Sequence, residues 1–165
     1  MDIKITGENK RFKVRVAGMI IHNNKLLVCR IMNNPFLCLP GGHCHLFETS
    51  HDAIMREIKE ETGLNVKIVE LSAFIENLFV SEKGENCHEL CYIYKLTPLN
   101  LPKDKAKDWN VVEFDDGINK NLDFKWIDIS KINEYDIRPV AVKQIINKKG
   151  LNHIQIINNQ VEFLN

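Results

Sequence analysis

The 165-residue chain carries no excess of either charge, because 22 Lys and Arg balance 22 Asp and Glu. A general nucleic-acid binder draws its affinity from surplus cations facing phosphates, so no stable nucleic-acid complex is expected. Nor is there an apolar run near the roughly 20 residues that a membrane helix requires. The stretch from Val16 to Ile21 has the length of a core strand instead. The residues Met1 to Thr6 lack the basic-then-apolar layout of a secretory signal. Cysteine is scarce and odd in number, at five (Cys29, Cys38, Cys44, Cys87 and Cys91), which argues against a disulfide scaffold. The GxGxxG fingerprint, the P-loop, internal repeats and low-complexity linkers are all absent. With 44% hydrophobic and 27% charged residues, a wholly disordered or collagen-like chain is excluded. The expectation is one soluble, reduced, cytoplasmic domain over residues 1–165, without a membrane association.

What is present is a series of strand-like segments interrupted by one clear helix. Residues 12–21 read as a strand, His22-Asn23-Asn24 as a tight turn, and residues 25–31 as the returning strand. Breaks follow at Asn33-Asn34-Pro35 and at Pro40-Gly41-Gly42. From Thr49 to Thr62 the apolar positions Ile54, Met55 and Ile58 recur at helical spacing, with Thr49 or Ser50 to cap the start and Gly63 to close the end. Val66–Phe79 and Glu89–Leu96 read as a further strand pair joined near Lys83-Gly84. Residues 98–121 read as a long polar loop with a short strand at Val111–Phe114, and Leu122–Ile129 as a short strand containing Trp126. A helix is expected from Pro139 to about Lys148, and a last strand within Leu151–Leu164. Hairpin-like pairs with helices between them suit a mixed sheet with helices packed on it.

The chemistry is concentrated between Gly42 and Leu64. At 100° per residue, Glu57, Glu60 and Glu61 fall within an arc of about 100° of the helix, apart from its apolar stripe. Such crowding costs a few tenths of a kcal/mol per like-charged pair, and a hard divalent cation would relieve it. Arg56 stands four residues from Glu60 and beside Glu57, so it can pair with either. Gly41 and Gly42 let the backbone approach a ligand closely, and Glu48 lies just before the helix. On charge pattern alone, the same run is a solvated helix face laced with ion pairs.

The full spacing goes further. Gly42, five residues, Glu48, seven residues and then Arg56-Glu57-Ile58-Lys59-Glu60-Glu61-Thr62-Gly63-Leu64 resembles the Nudix box at every defined position. The Leu39-Pro40-Gly41-Gly42 lead-in and the strands on either side are also similar to a Nudix domain, so the likeness covers most of the chain. The resemblance implies an α/β fold, the Nudix fold, with a mixed β-sheet sandwiched between α-helices. It implies hydrolysis of a nucleoside diphosphate linked to another group, such as a (d)NTP, a nucleotide sugar or a dinucleoside polyphosphate, with Mg²⁺ or Mn²⁺ as cofactor. Carried over by position, Glu60 and Glu61 are inner metal ligands and the Gly42 carbonyl is a further one. Glu57 binds metal and is the leading general base, Arg56 orients it, and Glu48 supports the metal site. A Nudix-like sensor that binds without cleaving and an isopentenyl-diphosphate isomerase-like enzyme are the alternatives; the intact glutamates speak against the first. Two features depart from common members: Phe47 stands where many carry glycine, and the His43-Cys44-His45 insert is atypical.

Outside the box, Glu89 is a candidate metal or base residue, with Glu113, Asp115 and Asp116 weaker ones. Phe36, Phe79 and Trp109 are placed to stack on a base, whereas Trp126 reads as core. Arg15 and Arg30, on the first two strands, are candidates to meet phosphate. A zinc site from His43, Cys44, His45, Cys87, His88 and Cys91 is disfavoured, because Cys87-x3-Cys91 is not a standard knuckle spacing. The partner expected is a small nucleotide-type molecule, and a homodimer is compatible with these features.

Overall fold

The structure is a computed structural model and describes residues 1–32, 34–81, 83–115 and 118–164. A short strand β1 (Lys4–Thr6) lies beside β2 (Lys10–His22), which is buried on both faces through its centre. The chain reverses at Asn23 and Asn24, both at positive φ, into β3 (Lys25–Ile31). Asparagine tolerates this left-handed backbone, so a two-residue hairpin closes without glycine. Strand β4 (Leu37–Cys38) precedes helix α1 (Ser50–Thr62). The Thr49 hydroxyl accepts the Asp52 N–H at 3.1 Å to cap the start of α1, and Gly63 at φ 72° ends it by donating its N–H to the Lys59 carbonyl. The long hairpin of β5 (Asn65–Val80) and β6 (Asn86–Leu99) follows, then β7 (Trp109–Asp115) and β8 (Ile118–Asp128). A 3₁₀ helix (Ile129–Glu134), β9 (Ile137–Arg138), α2 (Val142–Ile145), β10 (Asn152–Ile157) and β11 (Gln160–Phe163) complete the described chain.

Hydrogen bonding orders the strands β11-β10-β5-β6-β2-β3-β4-β9, with β1 added to β2, β8 to β3 and β7 to β8. The sheet is mixed, since β10 with β5, β2 with β6 and β4 with β9 run parallel and the other pairs antiparallel. Along β2, Val16 and Ile20 enter one apolar cluster, Ala17 and Met19 the other. That alternation is what a sheet covered on both faces requires. On one face α1 packs Ala53, Ile54 and Ile58 with Val16, Ile20, Leu27 and Phe124; on the other, α2 brings Val142 and Ile145 to Met19, Leu26, Val28 and Ile75. The fold is therefore the α/β arrangement expected, a mixed sheet between helices. No helix among the described residues is long and apolar enough to cross a membrane.

Three elements differ from expectation. The long polar loop over residues 98–121 is largely strand: β6 runs on to Leu99, and β7 with β8 forms a hairpin ribbon. Because β7 pairs with β8 alone, its outward positions such as Asn110 are solvated and hide the strand signal. The helix expected from Pro139 to Lys148 has only four α-helical residues, flanked by turns in which Val142 donates to the Pro139 carbonyl and Lys148 to the Ile145 carbonyl. The β-branched, fully buried Val142 and Ile145 favour packing over helix extension here. The single last strand is a hairpin that turns at Asn158 and Asn159, again both at positive φ.

β3 pairs with β2 only at Ile21–Leu26 and His22–Lys25, which leaves the earlier edge of β2 free for another segment. Pro40 to Cys44 fills it: Gly18 N–H donates to the Pro40 carbonyl, Val16 N–H to Gly42, and Cys44 N–H to Val14, at 2.9–3.0 Å. Gly41, at φ 142°, presses so close that a side chain there would overlap the Val16 carbonyl and the Ala17 backbone. Gly41→Ala is therefore expected to destabilise the fold by about 2 kcal/mol or more. An unchanged denaturant midpoint would show that the segment can lift off β2 freely.

Candidate active site

Helix α1 begins at Ser50, six residues after Cys44, and its acidic side faces the Pro40–Cys44 segment, with Glu61 on the Gly41 N–H and Glu57 against Gly42. Arg56 is the hub. Its Nε and Nη2 donate to the two oxygens of Glu48 at 2.7 and 2.8 Å, a two-pronged pair. Its Nη1 donates to Glu57 at 2.7 Å and to Glu60 at 3.0 Å, and Nη2 also reaches the His43 carbonyl at 3.1 Å. All five guanidinium hydrogens thus have partners. Glu48 accepts in addition the His45 N–H at 2.9 Å, and hydrogen bonding from Arg56 holds its carboxyl down to about 2. Glu57 sits against Gly42, where any Cβ would overlap its carboxylate. Burial is the largest influence on Glu57 and raises its carboxyl above the ordinary range, although Arg56 pulls the other way. Glu61 is buried and accepts the Gly41 N–H at 2.8 Å, while Glu60 is largely exposed.

The box residues Glu48, Arg56, Glu57 and Glu60 thus form one bonded group around a single guanidinium, and Glu61 is turned onto Gly41. Among the described residues no three acidic, His or Cys side chains converge as a ready metal cage. The Gly42 carbonyl accepts the Val16 N–H, which leaves one of its lone pairs. The donor set is nonetheless of the right kind for a hard divalent cation, all carboxylate and carbonyl oxygen. The Arg56 Nη1 already holds a positive charge between Glu57 and Glu60.

Candidates outside the box are distributed differently. Glu89 is buried, its carboxylate 2.9 Å from Lys13 Nζ and 3.7 Å from Arg15 Nη1. Burial alone would raise the Glu89 carboxyl, but Arg15 and Lys13 outweigh it and hold the group below the ordinary range. Arg15 also donates to the Gly41 carbonyl at 3.2 Å, so it belongs to this neighbourhood. Phe79 has Lys13 over its ring at 5.7 Å. Arg30 bonds the Asn34 carbonyl of its own loop and lines a groove with Trp109, Asp123, Lys125 and Tyr135, which contains no box glutamate. Phe36 is covered by Arg138. Trp109, expected on a loop, lies in β7, stacked on Phe124 at 4.9 Å beneath Lys105, so its ring is engaged in packing. Trp126 is core, as expected. Glu113 and Asp115 lie on β7, and Asp116 lies outside the described residues.

The His43-Cys44-His45 insert splits between environments. Cys44 enters the core, where burial pushes its thiol up to about 11. Burial, then Arg15, lowers His43 to about 4, and both histidines lie near Asp2. Cys91 faces the core too. Sequence reasoning missed Lys13. Its signal was the Lys13-x-Arg15 alternation, which gains meaning only once β2 and β6 are known to pair in parallel with Lys13 opposite Glu89.

A family model described as the NUDIX domain matches residues 12–145. Over 61 residues the chain is 48% identical to an ADP-ribose pyrophosphatase of Methanocaldococcus jannaschii, which covers 35% of this chain and 36% of that protein. A MutT-like protein of Streptomyces ambofaciens is 38% identical over 65 residues, 39% of this chain and 42% of that protein. Each match therefore spans less than half of the relative's own length. Among solved structures, a MutT protein from Bacillus halodurans has a similar fold, with a TM-score of 0.63 at 15% identity over 93% of this chain and 95% of that one.

Phe47 has φ 64° and a wholly exposed ring, so it bears the cost of a left-handed backbone without compensating packing. Phe47→Gly should therefore raise the melting temperature by a few degrees, equivalent to about 1 kcal/mol; a lower melting temperature would reveal packing by the ring. Glu48 sets an acid limb. Its folded value near 2 lies below the ordinary 4.5, so its stabilisation is complete above 4.5 and lost as pH falls toward 2. Glu48→Gln should flatten the dependence of unfolding free energy on pH across that window, read from urea titrations at successive pH values.

Proposed function

The chain belongs to the NUDIX domain family, and from that premise we propose that it is a hydrolase cleaving a phosphoanhydride bond in a nucleoside diphosphate joined to another group. The observation that carries this reading is the Arg56 fork, one guanidinium at the middle of α1 shared by Glu48, Glu57 and Glu60, on the helix side that faces the Gly41-Gly42 backbone. A diphosphate would be repelled by so much acid unless cations stood between. Glu57, Glu60 and Glu61, with the Gly42 carbonyl, would hold Mg²⁺ or Mn²⁺. Such an ion neutralises diphosphate oxygens and lowers the pKa of water.

The remaining work falls to the chain itself. Glu57, largely buried and steered by Arg56, takes the proton of the attacking water. Arg56 keeps Glu57 and Glu60 side by side, and Glu48 anchors Arg56 from the loop. Attack is in line: the water oxygen bonds to one phosphorus as the bridging oxygen leaves, giving a nucleotide and a phosphorylated fragment. The name of the relative in M. jannaschii supports ADP-ribose as the first substrate to try. Of the three substrate kinds that the box resemblance implies, this favours the nucleotide sugars.

The test is product analysis of ADP-ribose, (d)NTPs and dinucleoside polyphosphates incubated with the protein and Mg²⁺. Cleavage of at least one is expected, with Glu57→Gln lowering kcat by about 10²-fold or more while Mn²⁺ binding weakens less. Binding of nucleotide without any turnover would overturn the reading in favour of a sensor.

A further inference from the structure

The two faces of the sheet are not equally covered. On β6, Cys87, Glu89, Cys91 and Ile93 are buried, whereas His88, Leu90 and Tyr92, which alternate with them on the α1 face, are only half-buried. β10 repeats the contrast, with Ile154 and Ile156 buried and His153 and Ile157 exposed. Helix α1 starts over Tyr94, whose hydroxyl lies 2.8 Å from that of Ser50, and runs toward Gly18 and Leu96. The side chains from Tyr92 back to His88 therefore lie before its first turn.

Strand registers set Ile5, Phe12, His88, Leu78 and Ile157 in one row across β1, β2, β6, β5 and β10. Ile5, Leu78 and Ile157 are 37–66% exposed, large for apolar side chains in register with one another. Two rows on, Phe74 sits between Tyr92 and His153, with ring centroids 5.1 and 5.8 Å away. The polar groups between these rows are paired within the chain. Glu76 Oε1 lies 2.9 Å from His88 Nε2, and Oε2 accepts from Gln155 Nε2 at 3.2 Å. No charge at the centre of this face waits for a charged partner.

Six strands, from β1 to β11, carry the face. At about 4.8 Å between strands and about 6.7 Å between rows, three rows span roughly 600 Å². That footprint reaches the roughly 600 Å² per partner at which specific interfaces begin. The face also matches itself. A two-fold axis along the strands, between β5 and β6, sets Phe12 over Ile157 of a second copy, His88 over Leu78, and Tyr92 over Phe74. Glu76 then meets Leu90 rather than another carboxylate. Two sheets brought together in this way lie about 10 Å apart with strands within about 30° of each other, the aligned packing of sandwiches.

We propose that the uncovered α1-side face of β2, β6, β5 and β10 is an interface for a second copy of this chain, closed by that two-fold axis. It goes beyond the hydrolase reading and does not depend on it. The contact is apolar and aromatic, and each copy brings its Glu76 already held by His88 and Gln155.

The experiment is sedimentation velocity of the full chain over about 1 to 200 µM, a range that brackets interfaces of modest size. Wild type should shift with concentration from the 19.1 kDa of one chain to twice that mass. Leu78→Asp and Ile157→Lys should each weaken pairing by about 10²-fold or more, because each buries an unpaired charge. Val112→Asp, at an exposed position on β7 outside the face, should leave it unchanged. The axis itself is tested by mixing. Phe12→Glu and Ile157→Lys chains, each monomeric alone, should pair when combined, since one Phe12–Ile157 contact survives and the other becomes an ion pair. Circular dichroism confirms that the variants fold; if Phe12→Glu does not, Leu78→Asp and Ile157→Lys carry the comparison. A wild-type chain that stays at 19.1 kDa throughout overturns the second copy as occupant and leaves the face to a different protein. A dimer that survives Leu78→Asp and Ile157→Lys, or a mass that climbs past two chains, overturns the two-fold pairing. So does a mixture of folded Phe12→Glu and Ile157→Lys chains that remains monomeric.

Discussion

A single cation among too many anions organises this molecule's chemistry. Arg56 faces Glu48, Glu57 and Glu60, and its five hydrogens are fully used in holding them and the His43 carbonyl. Removing such a partner would leave a largely buried carboxylate uncompensated, the costly case for charges taken out of water. With Arg56 in place the group is stable but remains anionic overall, and Glu61 adds a further negative charge at the same junction. The loop geometry, the helix start and the seat of Gly42 against Glu57 all serve this one balance.

Most of the box was legible because it is local. A helix declares itself by period and caps, and the observed helix begins after Thr49 and ends before Gly63, as the sequence suggests. The turn at Asn23-Asn24 was equally readable, since few residues tolerate its backbone. What stayed hidden is non-local. The pairing of Lys13 with Glu89 depends on a parallel register between segments that carry no mark of their partnership. The strand β7 was obscured by its place at an edge, and α2 by the short reach of its regular hydrogen bonding. Trp109 illustrates the same limit, because a loop aromatic and an edge-strand aromatic look alike until Phe124 is found beneath the ring.

The candidate site lies where the sheet is incomplete. β3 leaves β2 after a short pairing, and an irregular segment takes the vacated edge. Irregular backbone can carry carbonyls and amides toward a ligand, which a complete ladder would have consumed. A family fold retained at 15% identity with the B. halodurans structure fits this division of labour. The regular strands need only bury apolar surface, while the edge segment and one helical side hold the specific chemistry.

The parallel register of β2 and β6 has a temporal consequence. Hairpins such as β2–β3 and β5–β6 join neighbours in the chain and close on the microsecond scale in isolation. Bringing Lys10–Ile20 alongside Asn86–Leu96 instead requires a long loop to close, which is entropically dear and slow. Arg15 therefore meets Glu89 late, after the helix that bears the acids has had ample time to form. A ribosome-bound chain that has not yet exposed β6 can carry the whole box and still lack the far wall behind Gly41.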